Sequence, residues 1–171
     1  MGYELWHKIS QLARGVMPFL LSTLLMLMML SSTGIPGFVQ IAPSMTIISV
    51  YFWSINRPDL MPLWAIFVLG LIEDALPGGP FGIQAIVLVL VASFVSSQRH
   101  FFSLAPFSYL LSTFLLVVVC ALGLNWVLNC IVSWELWDAR TLLVKAAITV
   151  ICYSPVYWLL DKVDQAVVSV R

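Results

Sequence analysis

The sequence predicts an all-α integral membrane protein, a single bundle of six transmembrane helices. Three observations predict it. Of the 171 residues, 61% are hydrophobic and only 9% charged, against about 45–50% and about 25% in a soluble domain. Apolar runs of near-spanning length recur six times, separated by short connections rich in proline, glycine or charge. The seven tryptophans fall near the ends of those runs, at the headgroup level that indole prefers. Six spans of about 20 residues use about 120 positions, so no separate soluble catalytic domain fits. Eight Lys plus Arg balance eight Asp plus Glu, which leaves no basic field for nucleic acid.

Taken in order, residues 3–14 place Leu5, Ile9 and Leu12 on one helical face and Glu4, Lys8 and Gln11 on another, the pattern of a short interfacial helix. The first span covers residues 16–33. It is longer than a signal-peptide core and further spans follow, so it is expected to remain uncleaved. The second covers 38–55. The third, 61–77, and the fifth, 107–132, carry Pro62 and Pro106 near their starts, where the missing N–H would be unpaired anyway. The fourth, 81–98, follows the turn PGGPFG. The sixth, 141–160, contains Pro155, which is expected to kink it. Alternating sides put Lys8, Arg14, Arg57, Arg99, Lys162 and Arg171 together, with Arg140 opposite and Lys145 inside a span; the positive-inside rule then makes both termini cytoplasmic. Trp6, Trp53, Trp64 and Trp158 fall at that boundary, and Trp126, Trp134 and Trp137 at the outer one. The three cysteines, Cys120, Cys130 and Cys152, lack metal-site or redox spacing and read as small hydrophobes.

Polar chemistry concentrates in few places. The third span carries Glu73 and Asp74. Its eight Leu, Ile, Val and Phe residues favour insertion by roughly 2.4 to 4.8 kcal/mol, while each central acid opposes it by roughly 2.5 to 3.5. The helix therefore needs off-centre acids or partners within the bundle. Lys145 enters the sixth span from the outer side at a similar depth, so pairing with Glu73 or Asp74 and snorkelling to the outer surface are both open. Gly70 lies on the face of the acids and permits close helix approach. Asn125 and Asn129 stand one turn apart on the fifth span. A nucleophile with a base, or paired carboxylates from separate segments, is missing from the sequence pattern. His7 and His100 are cytoplasmic, which leaves a proton relay without intermediate stations. An enzyme, a cofactor and a metal are therefore not expected.

The stretch Arg57-Pro58-Asp59-Leu60, then Pro62 and Trp64, then GLIEDALPGGPFGIQA from Gly70 to Ala85 resembles the bacterial rod shape-determining protein MreD family. That family shows a Pro-interrupted cytoplasmic turn, a span ending in Gly-x-x-x-Asp and a Gly-rich turn into the next span; Gly70, Asp74, Gly79 and Gly82 match those positions. The match is closest over residues 41–98 and looser over Tyr153 to Leu160, where Ser154 separates a Tyr and Pro that are often adjacent in the family. Glu73 is not a usual family feature. The resemblance implies a non-enzymatic inner-membrane scaffold of the cell-elongation machinery, holding an MreC-like single-span protein and connecting MreB-like filaments with peptidoglycan synthases. It also implies a fold similar to the six-helix substrate-binding subunits of energy-coupling-factor transporters. Gly70, Glu73, Asp74, Gly79, Gly82 and Lys145 are then candidates for helix packing or partner binding, and Arg57, Arg99 and His100 for a cytoplasmic contact or membrane-lipid anchoring. A small-solute-binding or transport protein, with Glu73, Asp74, Lys145 and the asparagines lining a central site, is the alternative.

Overall fold

The computed structural model describes residues 17–29, 42–76, 80–98, 107–133 and 139–169. All of its regular structure among these is helical: α1 (Met17–Met29), α2 (Met45–Asn56), α3 (Leu63–Ala75), α4 (Ile83–Ser97), α5 (Phe107–Ser133) and α6 (Ala139–Ser169). Each of the six helices described corresponds to one expected segment, but the bounds differ: α1, α3 and α4 lie inside theirs, α2 and α5 end one residue beyond, and α6 runs from 139 to 169 where 141–160 is expected. Among the described residues, only α5 and α6 are long and apolar enough to cross a bilayer unaided. The 12 to 15 residues of α2, α3 and α4 reach about 18 to 22 Å against a hydrocarbon thickness of about 30 Å. Prolines bound α2 and α3 closely: Pro43 precedes α2, Pro58 follows it, and Pro62 is the N-cap of α3. The interfacial segment 3–14 and the start of the second span lie outside the described residues.

The centre of the bundle is α2. A helix apolar on every side is a buried helix, and every residue from Met45 to Ser54 is buried. It packs against α4 and α6; α4 also packs against α3 and α5, and α5 against α6. An aromatic cluster locks α2, α5 and α6 together. Phe114 stacks on Tyr153 with ring centroids 4.1 Å apart, and Tyr51 meets both edge-on, at 5.1 and 5.9 Å. The Tyr51 hydroxyl donates to the Leu110 carbonyl at 3.1 Å, which satisfies its polar end inside the core.

The tryptophans differ in what they touch. Trp64 and Trp158 are 71% and 61% exposed, as membrane-surface anchors are, and the Lys162 ammonium sits 4.5 Å from the Trp158 ring, a cation–π contact. Trp53, in contrast, is 2% exposed and packs edge-on against Phe52 at 5.2 Å. It belongs to the core, because the run of buried residues on α2 extends through Ser54 and takes in Trp53, and only Ile55 and Asn56 at the end of the helix come towards the surface. Residue Pro155 lies within α6, which continues through it to Ser169; the ring removes the bond to the Ile151 carbonyl, and Ile151 is on the exposed side.

Candidate functional site

The polar residues gather at one end of the bundle, where α3 and α5 finish and α2, α4 and α6 begin. The contact between α3 and α4 sets the geometry. Gly70 and Asp74 are one turn apart and share a face. At Gly70 the α4 backbone comes so close that an added Cβ would lie 2.4 Å from the Ala85 Cα and 2.8 Å from its nitrogen. One turn further, Asp74 Oδ2 accepts the N–H groups of Gly82 at 2.9 Å, Gln84 at 3.1 Å and Ala85 at 3.4 Å, and Oδ1 accepts Gln84 N–H at 3.2 Å. These are the orphan donors that open a helix. The N-cap position of α4 is Gly82, whose φ of +95° is left-handed and which has no side chain to cap with. Asp74 therefore caps α4 from the preceding helix, and its negative charge meets the positive end of the α4 dipole. The acid that looked costly in the third span is thus compensated inside the protein.

A chain of amides extends this contact to α5. The Gln84 carbonyl oxygen accepts from Asn125 Nδ2, and Asn129 Nδ2 donates at 2.8 Å to both the side-chain and main-chain oxygens of Asn125. A second polar connection joins α2 to α6: Thr149 Oγ1 donates to the Lys145 carbonyl at 2.6 Å and accepts from Ser44 N–H at 3.2 Å.

Glu73 stands between these two connections. Its carboxyl lies within interaction range of Thr46, Gln84 and Lys145. Glu73 and Lys145 feel one another electrostatically without closing to a direct ion pair. Glu73 Oε2 is buried and accepts no hydrogen bond among the described residues. The neighbouring acids thus have separate surroundings: Asp74 is saturated by backbone donors, whereas Glu73 faces across the bundle with one oxygen uncommitted.

Of the cytoplasmic candidates, Arg57 forms an ion pair with Asp164 at 3.4 Å, tying the end of α2 to α6. Gly79, Arg99 and His100 lie outside the described residues. Gln84, Thr46 and Thr149 were not singled out in the sequence. The signal for Gln84 was a polar side chain in the first turn of an apolar run, two residues after Gly82. Among the described residues no group of three or more His, Cys, Asp or Glu side chains is arranged to hold a metal ion.

Away from this end, an apolar groove of about 200 Å³ runs between α4 and α5. Val87, Val91 and Phe94 form one wall, and Leu116, Cys120 and Leu124 the other.

Among protein families, the one described as rod shape-determining protein MreD matches residues 8–163. No curated protein and no solved structure matches, so the likeness to energy-coupling-factor transporter subunits has no support from a solved fold.

Proposed function

The chain belongs to the MreD family of rod shape-determining proteins, and from that premise we propose that it is a multi-pass scaffold of the bacterial inner membrane. Its role is to hold an MreC-like single-span protein and so link MreB-like filaments to peptidoglycan synthesis. The observation that carries this reading is the extent of the family match, residues 8–163 of 171. In this reading the chain crosses the bilayer six times with both termini in the cytoplasm, so the polar end of the bundle faces outward and the Arg57–Asp164 end inward.

The α4–α5 groove supplies a lateral surface for a partner span. Its walls are apolar at i, i+4 and i+7 on α4 and at i, i+4 and i+8 on α5, the ridge spacing into which another helix packs. Gly70 and Asp74 serve differently: they are consumed by the α3–α4 contact and hold that surface in shape.

Cys120 lies in the groove and makes a direct test. The protein is co-expressed with its MreC-like partner carrying single cysteines along the span, and disulfide capture is scored position by position. Capture through Cys120 with a helical period of about 3.6 residues is expected, and loss of cross-linking in Cys120→Ser. Uniform capture or none would reject the groove, and failure of the two proteins to co-purify would reject the scaffold.

A further inference from the structure

Two polar contacts fix how far the helices extend past one another. Asn125 of α5 donates to the Gln84 side chain in the first turn of α4, and Thr149 of α6 accepts from the N–H of Ser44, the N-cap of α2, at 3.2 Å. The short helices stop at these levels: α4 begins at Ile83 and α2 at Met45, and α3 ends at Ala75, beside the turn that Asp74 caps. The long helices continue. Eight residues of α5 lie beyond Asn125, up to Ser133, and ten of α6 precede Thr149, back to Ala139. At about 1.5 Å per residue, α5 and α6 overhang their shorter neighbours by roughly 12 to 15 Å of helix.

Both sides of this step are apolar. Ile131 and Val132 of α5 and Leu143 of α6 are exposed on the overhang, and Phe67 of α3 with Ile86 and Leu90 of α4 are exposed below it. Water covers such surfaces at a cost, and hydrocarbon does not. Lipid-exposed non-helical backbone is kept out of hydrocarbon, so the turn at Gly82 marks where the hydrocarbon ends along α3 and α4. Along α5 and α6 it ends two to three turns later. Tilting the bundle moves the step without removing it: levelling the polar end displaces the opposite end, where the Arg57–Asp164 pair, at 3.4 Å, holds the end of α2 level with α6.

We propose that the bilayer meets this chain at two thicknesses, with the leaflet at the polar end dipping to the Gly82 turn along α3 and α4 and standing about 12 Å higher along α5. A bilayer accommodates short apolar spans by thinning locally, and mismatch of this kind sorts neighbouring spans by length. The α3–α4 flank therefore fits a thinned lipid surface and favours neighbours with equally short apolar segments. This rests on the multi-pass reading above, but not on the orientation of the chain or on its MreC-like partner.

Depth measurements on the full-length protein test it. Cys120, Cys130 and Cys152 are changed to alanine, and nitroxide-labelled single cysteines are placed at Ile86, Ile131, Phe94 and Leu115, all exposed positions. The proteins are returned to phosphatidylcholine–phosphatidylglycerol vesicles, and immersion depth is read by EPR power saturation with oxygen and a water-soluble nickel chelate. Counted from the Gln84–Asn125 level, Ile86 and Ile131 stand about 12 Å apart along the helices, while Phe94 and Leu115 are level. The expected result is that Ile86 and Ile131 lie at the same depth to within about one turn, 5 Å, and that Phe94 and Leu115 also match. Leu90 and Val127, about 12 Å apart by the same count, form a second exposed pair should a label disturb the first. A depth difference near 12 Å within either pair would show a bilayer of one thickness, and matched pairs with Phe94 and Leu115 separated by as much would show a tilted bundle; each overturns the proposal. Contact of every label with water would reject the multi-pass reading and the proposal with it.

Discussion

Gly70 of α3 rests against Ala85 of α4 with no room for a side chain: a β-carbon on Gly70 would lie 2.4 Å from the Ala85 α-carbon. The obstruction is backbone, so no rotamer change relieves it. Gly70→Ala is expected to lower stability by about 3 kcal/mol, the upper part of the range for overpacking, and Gly70→Val by more. Thermal unfolding in detergent micelles measures this. A Gly70→Ala protein that melts with the parent would show that α3 slides freely on α4.

The αL backbone at Gly82 and the carboxylate of Asp74 make one turn together, and they separate by substitution. At Gly82 nothing lies within 4 Å of an added Cβ, so the only cost is the positive φ. Gly82→Val should then be destabilised by about 1–2 kcal/mol and Gly82→Asn by clearly less, because asparagine tolerates this conformation. Asp74→Ala strips several α4 donors of their acceptor at once and should cost about 2 kcal/mol, at the high end for a lost cap. Chemical denaturation of the three variants orders them; Gly82→Asn falling as far as Gly82→Val would contradict the strain argument.

Gln84 and Asn125 form a cross-helix amide pair between α4 and α5. A double-mutant cycle of Gln84→Leu and Asn125→Leu should give a coupling of about 0.6 kcal/mol, with about 1.7 as a ceiling, the range found for hydrogen bonds between membrane helices. Additive effects would mean that the two amides act separately.

Arg57 and Phe114 make opposite predictions despite both joining helices. The Arg57–Asp164 pair has a 42% exposed guanidinium side chain, so Arg57→Ala should change stability by less than about 1 kcal/mol. Phe114, fully buried at 0% exposure and stacked on Tyr153, should cost about 3–5 kcal/mol on truncation to alanine. Unfolding midpoints compare the two directly.

How much of this was legible in the sequence depends on the kind of residue. Hydropathy located the six helices of the described residues, because a run such as residues 107–133 has no other stable state in lipid. Helix lengths were less legible: composition marks where apolar residues run, while proline and left-handed glycine decide where hydrogen bonding stops, as at Pro62 and Gly82. The Gly70–Asp74 spacing gave their shared face but not their contact, since nothing local names Ala85 as the opposing backbone. The burial of Trp53 was not legible for the same reason. Indole preference for the headgroup level holds for a helix that touches lipid, and the burial of α2 is a property of its neighbours. The standing of Lys145 and Glu73, near each other yet apart, depends on distances between α3 and α6 that no local pattern encodes.

The enclosure of α2 has a bearing on biogenesis. During synthesis, residues 45–56 leave the ribosome before α4, α5 and α6 have been made, so the segment enters the insertion machinery ahead of the helices that will surround it. Thr46, Ser49 and Ser54, all buried in the finished bundle, must wait there without their final surroundings. Nascent chains halted before α4 should for that reason be recognised by membrane quality control, and chains that have completed α6 should escape it.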